Sequence, residues 1–316
     1  MKIDKLITHS GRFHADDVCA AVILTSMFPE AEVIRTRDDA LIASMIGRAI
    51  IFDVGKRYLP EDQIYDHHMK GARKRDDGVT YSSFGLVWEM FGEWYLRDVM
   101  KIEKEHIRPL WKEFDQKFVR MIDALDNGDI SPAKAGPVYD LSIGSFISDL
   151  NPLQSNDADP DALFLHAVHV SSLLIERRVM AIDNDLTMRN IVLREAKAQA
   201  GSPILIIKDN IEVQKALHEL DDKGGFRFIV APSSSGGWGV ECVRKEYGLY
   251  ENIIDLPEEW AGKVDEELVE ASGIAGITFC HSGRFYAAAD SLEAAMEVAE
   301  TAYRIANDLR NDTPEP

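Results

Sequence analysis

Short apolar runs alternate with amphipathic stretches along the first seventy or so residues. Lys5–Thr8, Glu32–Arg35, Ala49–Val54 and Gln63–Tyr65 read as strands, with helices expected over Val18–Phe28 and Ala40–Ile46. Asp16 or Asp17 suits the N-cap of the first helix, and Pro29 closes it. Strands alternating with helices predict a parallel sheet, which places its chemistry at the carboxyl ends of its strands. His9, Asp53 and the triplet Asp66-His67-His68 all fall at such ends.

Further helical periodicity covers Ser82–Phe91. A long charged region follows from Leu96 to about Leu125, with a break expected near Arg108-Pro109 and a stop at Asp126-Asn127-Gly128. A short helix is expected over Asp140–Leu150. Asp161 to Ala200 reads as nearly uninterrupted helix between Pro160 and Gly201-Ser202-Pro203. At 1.5 Å per residue it would span about 60 Å, more than one small domain needs. The strands Ile204–Lys208, Phe226–Ala231, Gly239–Lys245 and Ile277–His281 come next, then a helix over Ser291–Leu309 and a polar tail, Asn311–Pro316, expected to fray. The fold class is therefore α/β. Residues 1–160 are expected to form one domain, 161–200 a connecting helix, and 201–316 a smaller α/β domain. The fragment His-Ser-Gly-Arg-Phe occurs at His9–Phe13 and again at His281–Phe285, but the flanks differ, so it does not indicate a duplication.

Composition narrows the classes. The 316 residues are 46% hydrophobic, enough for ordinary cores, and no apolar run approaches the roughly 18 residues of a membrane span. Met1–Ile7 leads straight into a strand, with neither a signal-peptide core nor an Arg-rich transit pattern. Cys19, Cys242 and Cys280 are odd in number and far apart, which argues against a disulfide framework or structural zinc and for the cytoplasm. A formal charge of −19 argues against a broad basic surface for long nucleic acid. A phosphate substrate stays open, because bound divalent cations cancel carboxylates locally.

The candidate ligands are His9, His14, Asp16, Asp53, Asp66, His67, His68 and either Asp123 or Asp126. Singly, each is more often a cap, an ion-pair partner or a core histidine; jointly they suggest a metal centre. Mixed imidazole and carboxylate donors suit Mn²⁺, Co²⁺, Fe²⁺ or Zn²⁺ better than Ca²⁺. The set exceeds what one tetrahedral ion needs. Two ions about 3.5–4 Å apart and sharing a carboxylate would stabilise in-line attack at phosphorus. For substrate, Arg227 offers a fork for phosphate, and Gly236 and Gly237 offer backbone donors. Trp238 offers a base-stacking face worth about 1–3 kcal/mol. His281 and Arg284 follow a strand end, and Arg35 and Arg37 are weaker candidates.

The order His9…His14-Ala15-Asp16, Ile51-Phe52-Asp53, Asp66-His67-His68 and Asp126-Asn127-Gly128 resembles the DHH phosphoesterase superfamily. That superfamily includes RecJ-type exonucleases, oligoribonucleases, cyclic-dinucleotide phosphodiesterases and manganese pyrophosphatases. Similarity is closer to the melanocyte-proliferating-gene (Myg) exonuclease family, a branch of metal-dependent 3′–5′ RNA exonucleases. Thr8–Gly11, Phe13–Asp16, Tyr65–His68, Ser82–Val87, Asp123–Gly128, Leu256–Trp260, Ser272–Ile274 and Phe279–His281 carry it across nearly the whole chain.

The resemblance implies a DHH-type N-terminal domain with His9 and His14 on one metal and Asp16 and His67 on the other. Asp53 would bridge the two, and Asp126 would complete the second. His68 would face the scissile phosphate, with Asp66 orienting an imidazole. One departure is that the superfamily's first motif usually carries Asp where His14 falls, one residue closer to the leading His; Asp123, about a helical turn away, rivals Asp126. The implied function is a metal-dependent phosphodiesterase, a 3′–5′ exonuclease on single-stranded RNA or short oligonucleotides. Its cofactors would be two divalent ions, Mn²⁺ foremost and Mg²⁺, Co²⁺ or Zn²⁺ as alternatives. The acidic charge favours short substrates. The alternative is a small-molecule phosphohydrolase acting on pyrophosphate, a cyclic dinucleotide or a nucleoside phosphate. No membrane partner is expected, and homo-oligomerisation is left open.

Overall fold

Strands β1 (Lys5–Thr8), β2 (Glu32–Arg35), β3 (Ile50–Phe52), β4 (Tyr58–Leu59) and β5 (Ile64–Tyr65) form one sheet in the order β2-β1-β3-β5-β4. The computed structural model describes residues 3–130, 142–153, 159–249 and 251–311. All neighbouring pairs in this sheet are parallel except β4 with β5, so the expected parallel sheet is in fact mixed, with one antiparallel edge. Ile7, Ile51 and Ile64 pack with Ile42 of helix α2 (Asp39–Met45) in one buried cluster. Helix α1 (Ala15–Met27) is buried from Asp16 to Leu24 and packs on α3 (Ser83–Trp94). A helix so uniformly apolar belongs in an interior.

Beyond α3 come a π-helical turn (Tyr95–Val99), α4 (Lys104–Phe114), a second π turn (Asp115–Val119) and α5 (Arg120–Asp126). The expected break at Arg108-Pro109 does not occur. Pro109 lies inside α4, and the helical path is interrupted earlier, where Lys101 takes φ 57°. Helix α6 (Ile143–Asp149) starts after Ser142, whose hydroxyl accepts from Ser145 N; Asp140 and Leu141 of the expected helix lie outside the described residues. Helix α7 runs through 39 residues, Pro160–Ala198. The chain divides into two compact units within it, Met1–Asn184 and Asp185–Pro316.

The second unit holds β6 (Ile204–Ile206), α8 (Gln214–Leu217), β7 (Phe228–Pro232), β8 (Trp238–Cys242), α9 (Asp265–Ser272), β9 (Ile277–Cys280), β10 (Tyr286–Ala289) and α10 (Leu292–Asn311). Its sheet order is β6-β7-β8-β10-β9, parallel only between β6 and β7. Strand β10 was not anticipated, because Tyr-Ala-Ala-Ala has weak strand propensity. Packing overrides it: Ala287 and Ala289 are buried in one cluster with Ala294, Ala295, Val298 and Ala299 of α10, where small side chains permit close approach.

In the first unit, Gly85 and Gly92 fall two turns apart on α3. A Cβ on Gly85 would overlap the Asp123 carboxylate, and one on Gly92 would lie 2.7 Å from Trp88 and 2.8 Å from Trp111. Gly→Ala in a helix normally gains about 1 kcal/mol, but overpacking a filled core costs about 1–3 kcal/mol and here also displaces a buried charge. Gly85→Ala is therefore expected to destabilise the protein in urea unfolding. A stabilised Gly85→Ala protein would contradict this packing.

Candidate metal centre

Three adjacent parallel strands end together. Thr8 of β1 leads to His9, Phe52 of β3 to Asp53, and Tyr65 of β5 to Asp66-His67-His68. Helix α1 points its amino end at the same edge and places Asp16 and Asp17 in its first turn. Ser83, first residue of α3, donates from its hydroxyl to Asp53 Oδ1 at 3.0 Å. Asp53 holds φ 55°, a conformation uncommon for a residue with a Cβ and one that marks functional sites.

Asp53 is the common member of two groups of potential ligand atoms, each within 4.8 Å: His9, Asp17 and Asp53, and Asp53, Asp66, His67 and His68. A third group joins His14, Asp16 and Asp126. His9 Nε2 lies 3.1 Å from Asp53 Oδ2 and 3.2 Å from Asp17 Oδ2. His67 Nε2 lies 3.3 Å from Asp53 Oδ1, 3.4 Å from Asp126 Oδ2 and 3.6 Å from Asp16 Oδ2. The grouping differs from the expected one at His14, whose donor atom gathers with Asp16 and Asp126. Asp17, expected only as a cap, stands beside His9. The N-cap is His14 rather than Asp16 or Asp17; Asp17, the third residue of the helix, accepts from His14 N at 2.7 Å through its other oxygen and so closes a capping box.

The hydrogen-bonding surroundings leave these rings able to accept a cation. Asn127 donates through Nδ2 to the carbonyls of Thr80 (3.1 Å) and Asp123 (3.0 Å), which can only accept. Its Oδ1 therefore faces His67 Nδ1 at 3.0 Å and must accept a proton there, leaving the Nε2 lone pair toward the carboxylates. His9 Nδ1 lies 3.1 Å from Ser10 O and 3.0 Å from Arg37 Nη2, so two tautomers are available; a cation at Nε2 selects the one that donates to Ser10 O. Asp66 Oδ1 accepts from the backbone N (3.0 Å) and Nδ1 (2.9 Å) of His68, and Oδ2 accepts from Lys56 N. Asp66 is thus committed to orienting His68, whose side chain is 58% exposed.

Charge balance in this pocket calls for cations. Both oxygens of Asp16 are buried without a hydrogen-bond partner, and Oδ2 of Asp17 and Nε2 of His67 meet only their ion-pair neighbours. Burial, then the neighbouring carboxylates of Asp53, Asp126 and Asp17, hold Asp16 well above the usual carboxylate range. Burial also raises Asp17 and Asp126, against the pull of His9 and His67 respectively. Against their own burial, His9 is pushed up to about 10 by Asp17 and Asp53, and His67 to about 9, mainly by Asp53. Burial opposes ionisation of Asp53, but His67 and His9 pull it below the usual range. Protons here do the work that divalent ions can do, and the oxygen and imidazole donors fit such ions.

Asp123 is engaged differently. It is fully buried, its oxygens taken by Ser82 N (3.1 Å), Ser82 Oγ (2.6 Å) and Arg75 Nε (2.8 Å). Burial raises it to about 6 despite Arg75 and Ser82. The loop before α1 is pinned by Asn151, which bonds Phe13 N and Phe13 O at 2.9 Å each. Arg35 lies among the residues holding this loop: it donates to Gly11 O (2.6 Å) and Asp161 and sits over the Phe13 and Phe164 rings.

The six candidate substrate residues of the second unit do not gather in one place. Gly236, Gly237 and Trp238 lie in and after the β7–β8 turn, where Pro232 pairs with Trp238. Arg227, His281 and Arg284 lie toward the other end of β8, where Cys242 pairs with Phe228 and bonds Phe285 O. The five-residue strand β8, four steps long, separates the two ends by about 13 Å. Arg227 pairs with Asp222 and Arg284 with Asp255, while His281 Nδ1 accepts from Gly283 N at 2.9 Å. The repeated fragment adopts unlike settings: a strand-to-helix loop at His9–Phe13 that is buried only at its two ends, and a hairpin turn at His281–Phe285.

Sequence reasoning missed Asp17, Ser83 and Asn127 as parts of this centre. The available signal was two adjacent aspartates opening a helix too apolar to be at the surface. Among the described residues no helix is long and apolar enough to cross a membrane.

Comparison with known proteins agrees across the chain. A family model, MYG1_exonuc, described as "Uncharacterised protein family (UPF0160)", matches residues 5–303. MYG1 exonuclease of Mus musculus is 28% identical over 317 residues, covering 92% of this chain and 83% of the relative. The Homo sapiens MYG1 exonuclease is 28% identical, covering 92% and 84%. A MYG1 protein of Schizosaccharomyces pombe is 30% identical, covering 94% and 97%. No solved structure matches. With a match that spans both units, the chain belongs to the MYG1 exonuclease family.

Proposed function

We propose that this chain is a metal-dependent phosphodiesterase of DHH type, acting as a 3′–5′ exonuclease on single-stranded RNA or short oligonucleotides. The observation that carries this is Asp53, whose two oxygens face His9 and His67 in separate donor groups beside partnerless buried carboxylate oxygens. His9, Asp17 and Asp53 would hold one divalent ion; Asp16, Asp53, His67 and Asp126 would hold the other, with His14 at its margin. Two such ions, Mn²⁺ foremost, supply charge that activates water and neutralises phosphate oxygens. His68 reaches toward solvent with its proton favoured first by the Asp66 hydrogen bond, so it can donate to a phosphate or leaving oxygen. Asp66 is the positioning residue for that ring. The relatives named MYG1 exonuclease support a nucleic-acid substrate. Three buried free thiols fit a reducing compartment such as the cytoplasm.

A substrate panel of single-stranded RNA, single-stranded DNA, a dinucleotide and pyrophosphate, each with Mn²⁺, Mg²⁺ or Zn²⁺, tests this reading. Mononucleotide release from the 3′ end of RNA is expected, and Asp53→Asn should lower the rate by about 100-fold or more, about 2.7 kcal/mol of barrier. Full activity in Asp53→Asn would remove the shared-ligand role, and cleavage of pyrophosphate alone would replace the nuclease by a small-molecule phosphohydrolase.

Ion binding must expel protons from His9 and His67, so affinity rises with pH. In the metal-free chain these raised histidines stabilise the fold fully below their ordinary value of 6.5, and that contribution fades as pH rises through about 9 to about 10. Cations replace it. The gain in melting temperature on adding Mn²⁺ should therefore be larger near pH ~8.5 than near pH ~6. A gain that is flat, or larger on the acid side, would contradict the assignment of these rings as ligands.

A further inference from the structure

We propose that the loops flanking Asp66–His68 carry a track for the phosphodiester backbone of single-stranded nucleic acid, with Arg57, Lys70 and Lys74 as its cations. This rests on the reading of the metal centre given above and extends it to the nucleotides beside the scissile bond.

Charge along the chain is uneven at this point. From Lys56 to Arg75 there are six Lys or Arg and three Asp or Glu, whereas the whole chain has 35 against 54. Backbone bonds tie the basic positions to the site. Arg57 O accepts from Asp66 N at 3.3 Å, and Lys70 lies two residues beyond His68. Lys74 pairs with Thr80 in a small hairpin closed by Arg75 N to Val79 O (2.8 Å) and Tyr81 N to Arg73 O (3.0 Å). Thr80 O is one of the two carbonyls that orient Asn127, and through it His67.

The cations differ in what already occupies them. Arg75 is buried against Asp115 and Asp123 and anchors the hairpin. Arg73 is tied to Glu89, Lys56 lies 3.6 Å from Asp39, and the nearby Asp77 pairs with Arg120. Arg57, Lys70 and Lys74 are exposed and have no ion pair among the described residues. At physiological ionic strength charges beyond about 8 Å are screened, so the −19 spread over the surface matters less to an approaching strand than these local cations.

The test is fluorescence anisotropy of a labelled single-stranded oligoribonucleotide of about ten nucleotides, with full-length protein in EDTA so that nothing is cleaved. Three phosphate contacts predict a slope of about −2 for log K against log salt. Arg57→Ala/Lys70→Ala/Lys74→Ala should flatten that slope toward zero and weaken binding at least tenfold at low salt, with an unchanged melting temperature. Lys101→Ala/Lys104→Ala/Lys112→Ala removes equal charge elsewhere and should bind like wild type. Equal slopes in the rim variant and wild type, equal losses in both triple variants, or no salt-dependent binding by wild type would each overturn the track. Hydrolysis of bis(p-nitrophenyl) phosphate by the Mn²⁺-loaded wild type is measured alongside. Its absence would instead count against the metal centre, so the two failures are distinguishable.

Discussion

Mutual repulsion among buried carboxylates is the constraint around which the first unit is built. Asp16, Asp17 and Asp53 are buried together with little water to screen them, and the more exposed Asp126 stands beside them. Two like charges 4 Å apart repel by about 4 kcal/mol at an effective dielectric of about 20. The three buried ones cannot all stay ionised without positive charge between them. Protons on His9 and His67 supply it in the metal-free chain, at the expense of raised carboxyl groups. Divalent ions would supply far more charge in less space, next to the two Asp16 oxygens that have no hydrogen-bond partner.

Several less conspicuous contacts follow from that constraint. Helices α1 and α3 bring their amino ends, which favour negative charge, to the same sheet edge. Arg75 neutralises Asp123 and thereby fixes α5, so that Asn127 and Asp126 arrive at His67 in register. Breaking such a buried pair by removing one partner leaves an uncompensated charge, which typically destabilises by about 3–5 kcal/mol. The glycine at position 85 makes room for that carboxylate. Two aspartates are therefore set apart along one short helix: Asp123 is engaged by Arg75 and Ser82, and Asp126, a turn later, faces His67.

Much of this was legible in the sequence because strand ends are easy to locate. Short apolar runs followed at once by His9, Asp53 and Asp66-His67-His68 pointed, without any distance information, to the sheet edge where these residues meet. What stayed hidden depended on geometry. Asp17 read as a cap because adjacent residues on a helix normally face about 100° apart, whereas here both neighbours are drawn inward by a helix buried on all sides. Asn127 read as a helix stop, and only the carbonyls around its amide reveal its hold on His67. Strand β10 was obscured by alanines chosen to fit α10 rather than to form a strand. The six substrate candidates in the second unit were plausible singly, but the sheet separates them into two groups.

Equilibrium dialysis of the EDTA-stripped protein against Mn²⁺, with bound metal counted per chain, tests the central claim most directly. Two ions per chain are expected, with both sites weakened together in Asp53→Asn because both groups share that side chain. A single ion, or two sites of which Asp53→Asn leaves one or both at wild-type affinity, would contradict the account.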